Sequence, residues 1–125
     1  MREASLWRAL LGVDKTVVER VEFDEEAQVV VGHVRPTARA RGRCGVCRRR
    51  CPRYDGATRR RRWRALDLGT VPVVLEADAP RVSCREHGVV VAAVPWARHG
   101  SGHTYAFDAT VAWLATASWK STVTS

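Results

Sequence analysis

The 125-residue sequence has no isoleucine and no asparagine, and only two lysines stand beside its nineteen arginines. That skew is what a G+C-rich coding sequence produces, so Arg in place of Lys carries no functional message by itself. No apolar run approaches the roughly 20 residues that cross a bilayer. The amino end also lacks a charged start followed by an apolar stretch and a small-residue cleavage site. Both absences predict a cytoplasmic protein with no membrane partner. Cysteine is sparse, at four residues, and in a reducing compartment so few thiols are expected as metal ligands or redox groups rather than structural disulfides. There is no internal repeat. The length supports one domain with a real core, whereas two domains would both be small.

Acidic residues are nearly missing from the middle of the chain. Residues 1–34 carry four basic and seven acidic side chains, residues 35–64 carry thirteen Arg against the single Asp55, and residues 65–125 carry four basic and five acidic. Codon bias explains the choice of Arg, but not its concentration in thirty residues. A segment of net +12 favours a polyanionic partner, with nucleic acid first.

Along the chain, residues 4–11 read as a short docking helix with Leu6 and Leu10 on one face, joined by Trp7 and Leu11, and Gly12 as its stop. β-Branched runs from Thr16 to Phe23 and from Gln28 to Val34, separated by Asp24-Glu25-Glu26, predict a hairpin that serves as scaffold. Residues 36–43 read as a basic loop. The run Arg59 to Arg64 holds Trp63, which is expected to anchor an ordered element to the core rather than to stack on a base. Val71 to Cys84 alternates from Val74 to Asp78. Pro72 and Pro80 suit strand starts or edges, and the segment is expected to form a second antiparallel pair ending in Cys84 and His87. Val89 to Val94 is a third apolar run. His99-Gly-Ser-Gly-His103 reads as a flexible joint with exposed histidines. Thr104 to Ala117 then reads as a helix capped by Thr104, with Ser118 as the cap of a second helix.

The chemistry is concentrated in Cys44-Gly-Val-Cys47 and Cys84-Arg-Glu-His87. Each pair has the spacing at which one tight turn points two side chains at one ion, and together they make a four-coordinate structural zinc site. The intervening residues 48–83 number 36, so a whole hairpin must be inserted between the halves. Closing that loop costs entropy that grows only logarithmically, whereas structural zinc contributes about 10–16 kcal/mol of apparent binding free energy. Cys51 is a competing fifth ligand, closer to a spectator or core thiol. A redox Cys-x-x-Cys needs a helix behind it, which Arg48-Arg49-Arg50-Cys51-Pro52 does not supply. A catalytic zinc needs a vacant position that four ligands leave no room for.

The run from Cys44 to Ser125 resembles the amino-terminal part of bacterial insertion-sequence transposases of the ISL3 family. The resemblance rests on Cys44-x-x-Cys47, the segment Arg62 to Gly69, Cys84-x-x-His87-Gly88, Val94-Pro-Trp-Ala-Arg-His99, and Ala112-Trp113-Leu114-Ala115. It implies a zinc-binding domain, then a helix-turn-helix, then a catalytic domain with an acidic metal-binding triad. This sequence stops where the second helix of the helix-turn-helix begins, so a truncated transposase without catalytic residues, and hence no enzyme, is expected. The implied fold is α+β: a small zinc-stapled antiparallel β module with a short N-terminal helix over residues 1–98, and a partial helix-turn-helix over 99–125.

The expected function is binding of double-stranded DNA at the ends of an insertion sequence. Arg48, Arg49, Arg50, Arg59, Arg60, Arg61, Arg62 and Arg64 are expected to lie near one surface and neutralise phosphates. Six such contacts would give a slope of log K against log salt of roughly −5. Self-association, or association with a full-length transposase, is a further expected interaction. The rival reading is a small zinc-stapled adaptor that binds protein and not DNA.

Overall fold

A computed structural model describes residues 3–56 and 59–124, with side chains described for 5–56 and 59–117. Its elements in order are α1 (Glu3–Leu11), β1 (Thr16–Asp24), β2 (Val29–Pro36), β3 (Arg60–Leu68), β4 (Val71–Asp78), β5 (Arg81–Cys84), β6 (Gly88–Val91) and α2 (Tyr105–Thr124). The class is α+β, as expected. No helix among the described residues is long and apolar enough to cross a membrane.

α1 ends as its sequence dictates. Gly12 takes φ +65, its N–H bonds Ala9 O, and the N–H of Val13 reaches back to Arg8 O. This is the left-handed cap for which glycine is best suited. The buried face is not the expected one. Leu6 and Leu10 are exposed, whereas Leu11 is buried and Trp7 packs against the core. Both stripes have helical spacing, so periodicity alone could not separate them. Leu11 settles the choice: it is buried in the main core, where its methyl carbon packs over Gly32 of β2.

β1 and β2 form the expected antiparallel hairpin, closed by Asp24 Oδ1 accepting from Ala27 N. The four-stranded sheet then runs β1-β2-β4-β3. β4 pairs antiparallel with β3 and parallel with β2, so it is a central strand in an otherwise antiparallel arrangement. The segment Val71 to Cys84 therefore does not pair with itself: β4 joins the main sheet, and β5 pairs with β6 in a separate hairpin. Pro72 is tolerated because it precedes the first β2 partner, Val73, and lies opposite the irregularity between Ala65 and Leu68. Its missing N–H breaks no ladder bond there.

Alternation along β3 and β4 buries Trp63, Ala65, Val73, Leu75 and Ala77 on one face, with Leu11, Val18 and Val34. Trp96 meets Trp63 edge-on at 5.3 Å between ring centroids, so Trp63 is the expected anchor. A second, smaller core holds Cys44, Cys51, Val82, Cys84 and Ala92.

Two expectations for the carboxyl end change. The stretch 99–103 is docked along β3, with Arg64 N bonding Gly102 O and Thr104 N bonding Arg64 O, which stands against the flexible joint. Thr104 caps α2 through Phe107 N at 3.2 Å. The helix runs unbroken to Thr124, so Ser118 does not open a new helix. Nothing in Ala115-Thr-Ala-Ser-Trp stops a helix, and serine is tolerated inside one at modest cost.

Candidate metal centre

The connection between β2 and β3 carries the first ligand pair. Cys44 N bonds Arg49 O at 2.9 Å, Arg48 N bonds Cys44 O at 2.8 Å, and Cys51 N bonds Gly42 O at 2.9 Å. This makes a tight knuckle whose turn is completed by Arg48 in the left-handed region, φ 62. Gly45 is required in it. A Cβ there would stand 2.6 Å from Val91 O and would also overlap the His99 ring. The second pair sits at the end of the β5–β6 hairpin, where Cys84 faces Gly88. The halves are stitched by Cys44 bridging Ala92, and by Ser83 N bonding Pro52 O.

The result brings Cys44, Cys47, Cys84 and His87 together, with ligand atoms all within 4.8 Å of one another. The measured edges are 3.8 Å for Cys47 Sγ to Cys84 Sγ, 3.7 Å for Cys44 Sγ to His87 Nδ1 and 3.6 Å for Cys84 Sγ to His87 Nδ1. A tetrahedron with Zn–S of about 2.3 Å and Zn–N of about 2.05 Å has edges of about 3.8 Å (S–S) and about 3.6 Å (S–N). The donor set therefore fits a structural zinc ion.

The electrostatics lean the same way. The backbone N–H groups of His87 and Glu86 lower the Cys84 thiol to about 6. The N–H of Cys47 lowers Cys44, and Val46 N also lies 3.4 Å from its sulfur. At Cys47 the Arg49 N–H favours the thiolate, but desolvation and the neighbouring Cys44 and Cys84 sulfurs outweigh it and raise the thiol. His87 is raised, chiefly by its side-chain contact with Cys84. Cys51 lies outside the four-residue group. Its thiol is raised by burial and donates to Arg49 O at 3.2 Å, as a core spectator does. His99 covers Gly45 and His103 stacks on Phe107 at 4.9 Å, and neither joins the cluster.

The arginines of β3 do not share one face. β3 alternation sets Arg60 and Arg62 opposite Asp78 and Glu76, on the face away from the core, while Arg61 is opposite Ala77. Arg62 Nε bonds Glu76 Oε1 at 3.0 Å, and Arg60 reaches both Glu76 at 3.1 Å and Asp78 at 3.2 Å. Arg64 pairs with Asp67, and Arg49 with Glu86. Arg61 lies over the Trp63 ring and donates to Ser101 O. Arg48, Arg50, Arg59 and Arg61 have no carboxylate partner among the described residues. Sequence reasoning also missed His33, buried between Glu22 and Glu76 across three strands. Its place in an apolar strand was the one available signal.

Comparison with known proteins now bears on this geometry. A profile described as the zinc-finger of transposase IS204/IS1001/IS1096/IS1165 matches residues 40–87, which include all four clustered side chains. A second, the helix-turn-helix domain of transposase family ISL3, matches residues 92–125. Two curated relatives, each named transposase for insertion sequence element IS1557, come from Mycobacterium tuberculosis strains CDC 1551 / Oshkosh and ATCC 25618 / H37Rv. Each is 56% identical over 128 residues, covering 98% of this chain but 29% of its own length. No solved structure matches significantly. The zinc-finger match over a three-cysteine, one-histidine cluster identifies structural zinc as the cofactor. The chain carries, in order, the zinc-ribbon and helix-turn-helix segments of the ISL3 transposase family.

Proposed function

We propose that this chain is a DNA-binding transposase segment that holds zinc through Cys44, Cys47, Cys84 and His87 and contacts the terminal repeats of its insertion sequence. The observation that carries the reading is a zinc-shaped ligand cluster whose first pair lies within the basic segment, followed by a helix-turn-helix match. Zinc supplies no reactive position here. It fixes the knuckle against the β5–β6 hairpin, so that the charges at 48–50 hold a constant relation to the sheet.

Residues 1–98 act as the zinc-binding unit and 99–125 as the leading part of the helix-turn-helix. The chain spans 29% of the length of its transposase relatives, and the reading gives this segment DNA binding rather than catalysis. Within the predicted arginine set, Arg48, Arg50, Arg59 and Arg61 contact phosphate most readily. Arg49, Arg60, Arg62 and Arg64 must first give up a carboxylate. Phosphate contacts supply affinity and register, not sequence. Four contacts give a log K against log salt slope of about −3.6. The test is a titration of labelled duplex DNA across salt concentrations with zinc-loaded protein, and a flat response would end the reading.

A second reading has its own observation. Val111, Trp113 and Leu114 of α2 are all exposed, Trp113 to 67%. This apolar surface suits contact with another transposase copy or a second copy of this chain. Sedimentation of wild type beside Trp113→Glu distinguishes the two: loss of an oligomer with DNA affinity intact assigns α2 to protein contact.

A further inference from the structure

One basic surface meets the arginine set only at Arg48 and otherwise lies outside it. A cleft between the open end of the β1–β2 hairpin and the zinc knuckle encloses about 640 Å³ and is lined by Lys15, Arg39, Arg43 and Arg48, with one acid, Asp14. The Asp14 carboxylate already accepts the backbone N–H of Lys15 at 2.9 Å. Among the described residues, no carboxylate forms an ion pair with any of the four cations. Four unneutralised charges around one concavity repel one another, and an anion inserted between them relieves that repulsion.

The walls are built to hold this arrangement. Arg43 crosses the cleft, its Nε bonding Arg39 O at 3.1 Å and its Nη1 bonding Arg48 O at 3.1 Å, so it ties the loop to the knuckle. Arg48 Nη2 reaches Tyr105 Oη at 3.2 Å, at the first turn of α2. Lys15 and Arg48 both take positive φ, 51 and 62. Glycine or asparagine is the usual occupant of such positions, and here each turn sets a cation at the rim of the cleft. Thr37 N pins Lys15 through its carbonyl at 3.0 Å.

We infer that this cleft seats the sugar–phosphate backbone of duplex DNA, with Lys15 and Arg39 as the phosphate contacts and Arg43 as the residue that positions them. The inference rests on the DNA-binding reading above and extends it to residues outside the arginine set. Lys15 offers a point charge and Arg39 a planar fork, a pairing suited to successive phosphates. Val94 and Pro95 supply an apolar wall for sugar. Through Arg48, a strand in the cleft lies beside both the knuckle and the start of α2.

The test uses the zinc-loaded full chain and a labelled duplex, followed by anisotropy over a range of salt. The variant is Lys15→Asn with Arg39→Gln, since asparagine accepts the left-handed conformation and leaves the loop unstrained. Zinc content and melting temperature confirm that it folds. The expected result is a salt slope shallower by about 1.8, which is two lost contacts at about 0.9 each, and affinity at least tenfold weaker. Arg20→Gln on β1 serves as the charge-loss control, with an unchanged slope. A double variant that keeps the wild-type slope overturns the cleft and leaves the DNA-binding reading standing. A flat wild-type response overturns both. If inorganic phosphate binds wild type but not the variant and, at matched ionic strength, leaves the duplex bound, the cleft is a small-anion site and the duplex assignment falls.

Discussion

Removal of zinc should melt one part of this molecule and spare another. The smaller core contains only Val82 and Ala92 as buried non-cysteine side chains, beside Cys44, Cys51 and Cys84. Full burial of a valine stabilises by about 1.5–3 kcal/mol. Ordering one residue's backbone costs about 1–2 kcal/mol, and the knuckle together with β5–β6 orders some two dozen residues. Apolar burial therefore cannot hold this half. A zinc contribution of about 10–16 kcal/mol is several times what that burial supplies, so this half depends on the metal far more than on its apolar side chains. The main core is made by Trp63, Trp96, Leu75 and their neighbours, none of which is a ligand. On chelation, the amides of Cys44, Cys51 and Ser83 should lose hydrogen-exchange protection, because their partners Arg49 O, Gly42 O and Pro52 O belong to the knuckle and its seam. The amides of β1–β4 should stay protected, those of β3 and β4 to a lesser degree once the zinc cross-link is gone, and emission from the buried tryptophans should change little. Exchange measured by mass spectrometry or NMR before and after chelator reads both halves at once. Retained protection at Cys44 and Cys51 in metal-free protein would refute the reasoning, as would simultaneous melting of both halves.

Other outcomes follow from single contacts. Gly45→Ala forces a methyl group against Val91 O and the His99 ring, so zinc affinity in a competing-chelator titration should fall at least tenfold, in line with overpacking costs of about 1–3 kcal/mol. Trp63→Ala removes a fully buried ring and its edge contact with Trp96, and a denaturant midpoint should report a loss of about 3–5 kcal/mol. Thr104→Ala removes the cap on Phe107 N and should cost about 1 kcal/mol, visible as lower helicity in circular dichroism. Arg62, and then Arg60, lower the Glu76 carboxyl below its ordinary value. A depressed carboxyl stabilises fully above its unfolded value, and that stability is lost as pH falls through the folded one. Denaturant midpoints below about pH 4.3 should therefore drop more steeply in wild type than in Glu76→Gln.

The metal site was legible because each ligand pair is local, set by two-residue spacing that any tight turn converts into convergence. The β1–β2 hairpin was legible for a similar reason, with β-branched runs on both sides of an acidic turn. What escaped the sequence depends on partners distant along the chain. Pro72 suggested a strand start or an edge; it stands at the start of β4, but that β4 lies between β2 and β3 is decided by its neighbours. The arginine run looked like one patch until strand alternation turned Arg61 away from Arg60 and Arg62 and supplied Glu76 as their counter-charge. On α1, two stripes of equal periodicity competed, and burial in the main core selected Leu11. Lys15, Arg39, Arg43 and Arg48 come from two separate stretches, and no local pattern joins them into a cleft.

The hairpin inserted between the ligand pairs gives the metal influence over residues it never touches. Cys47 and Cys84 close a ring around residues 48–83, and β3 and β4 lie inside that ring. While zinc holds it shut, a β3–β4 pair that peels away gains only the freedom of a tethered loop. Treated as a cross-link of that length, the constraint is worth about 4 kcal/mol. Metal supply would then set how often the sheet's far edge opens, making zinc a clasp on the scaffold as well as on the knuckle.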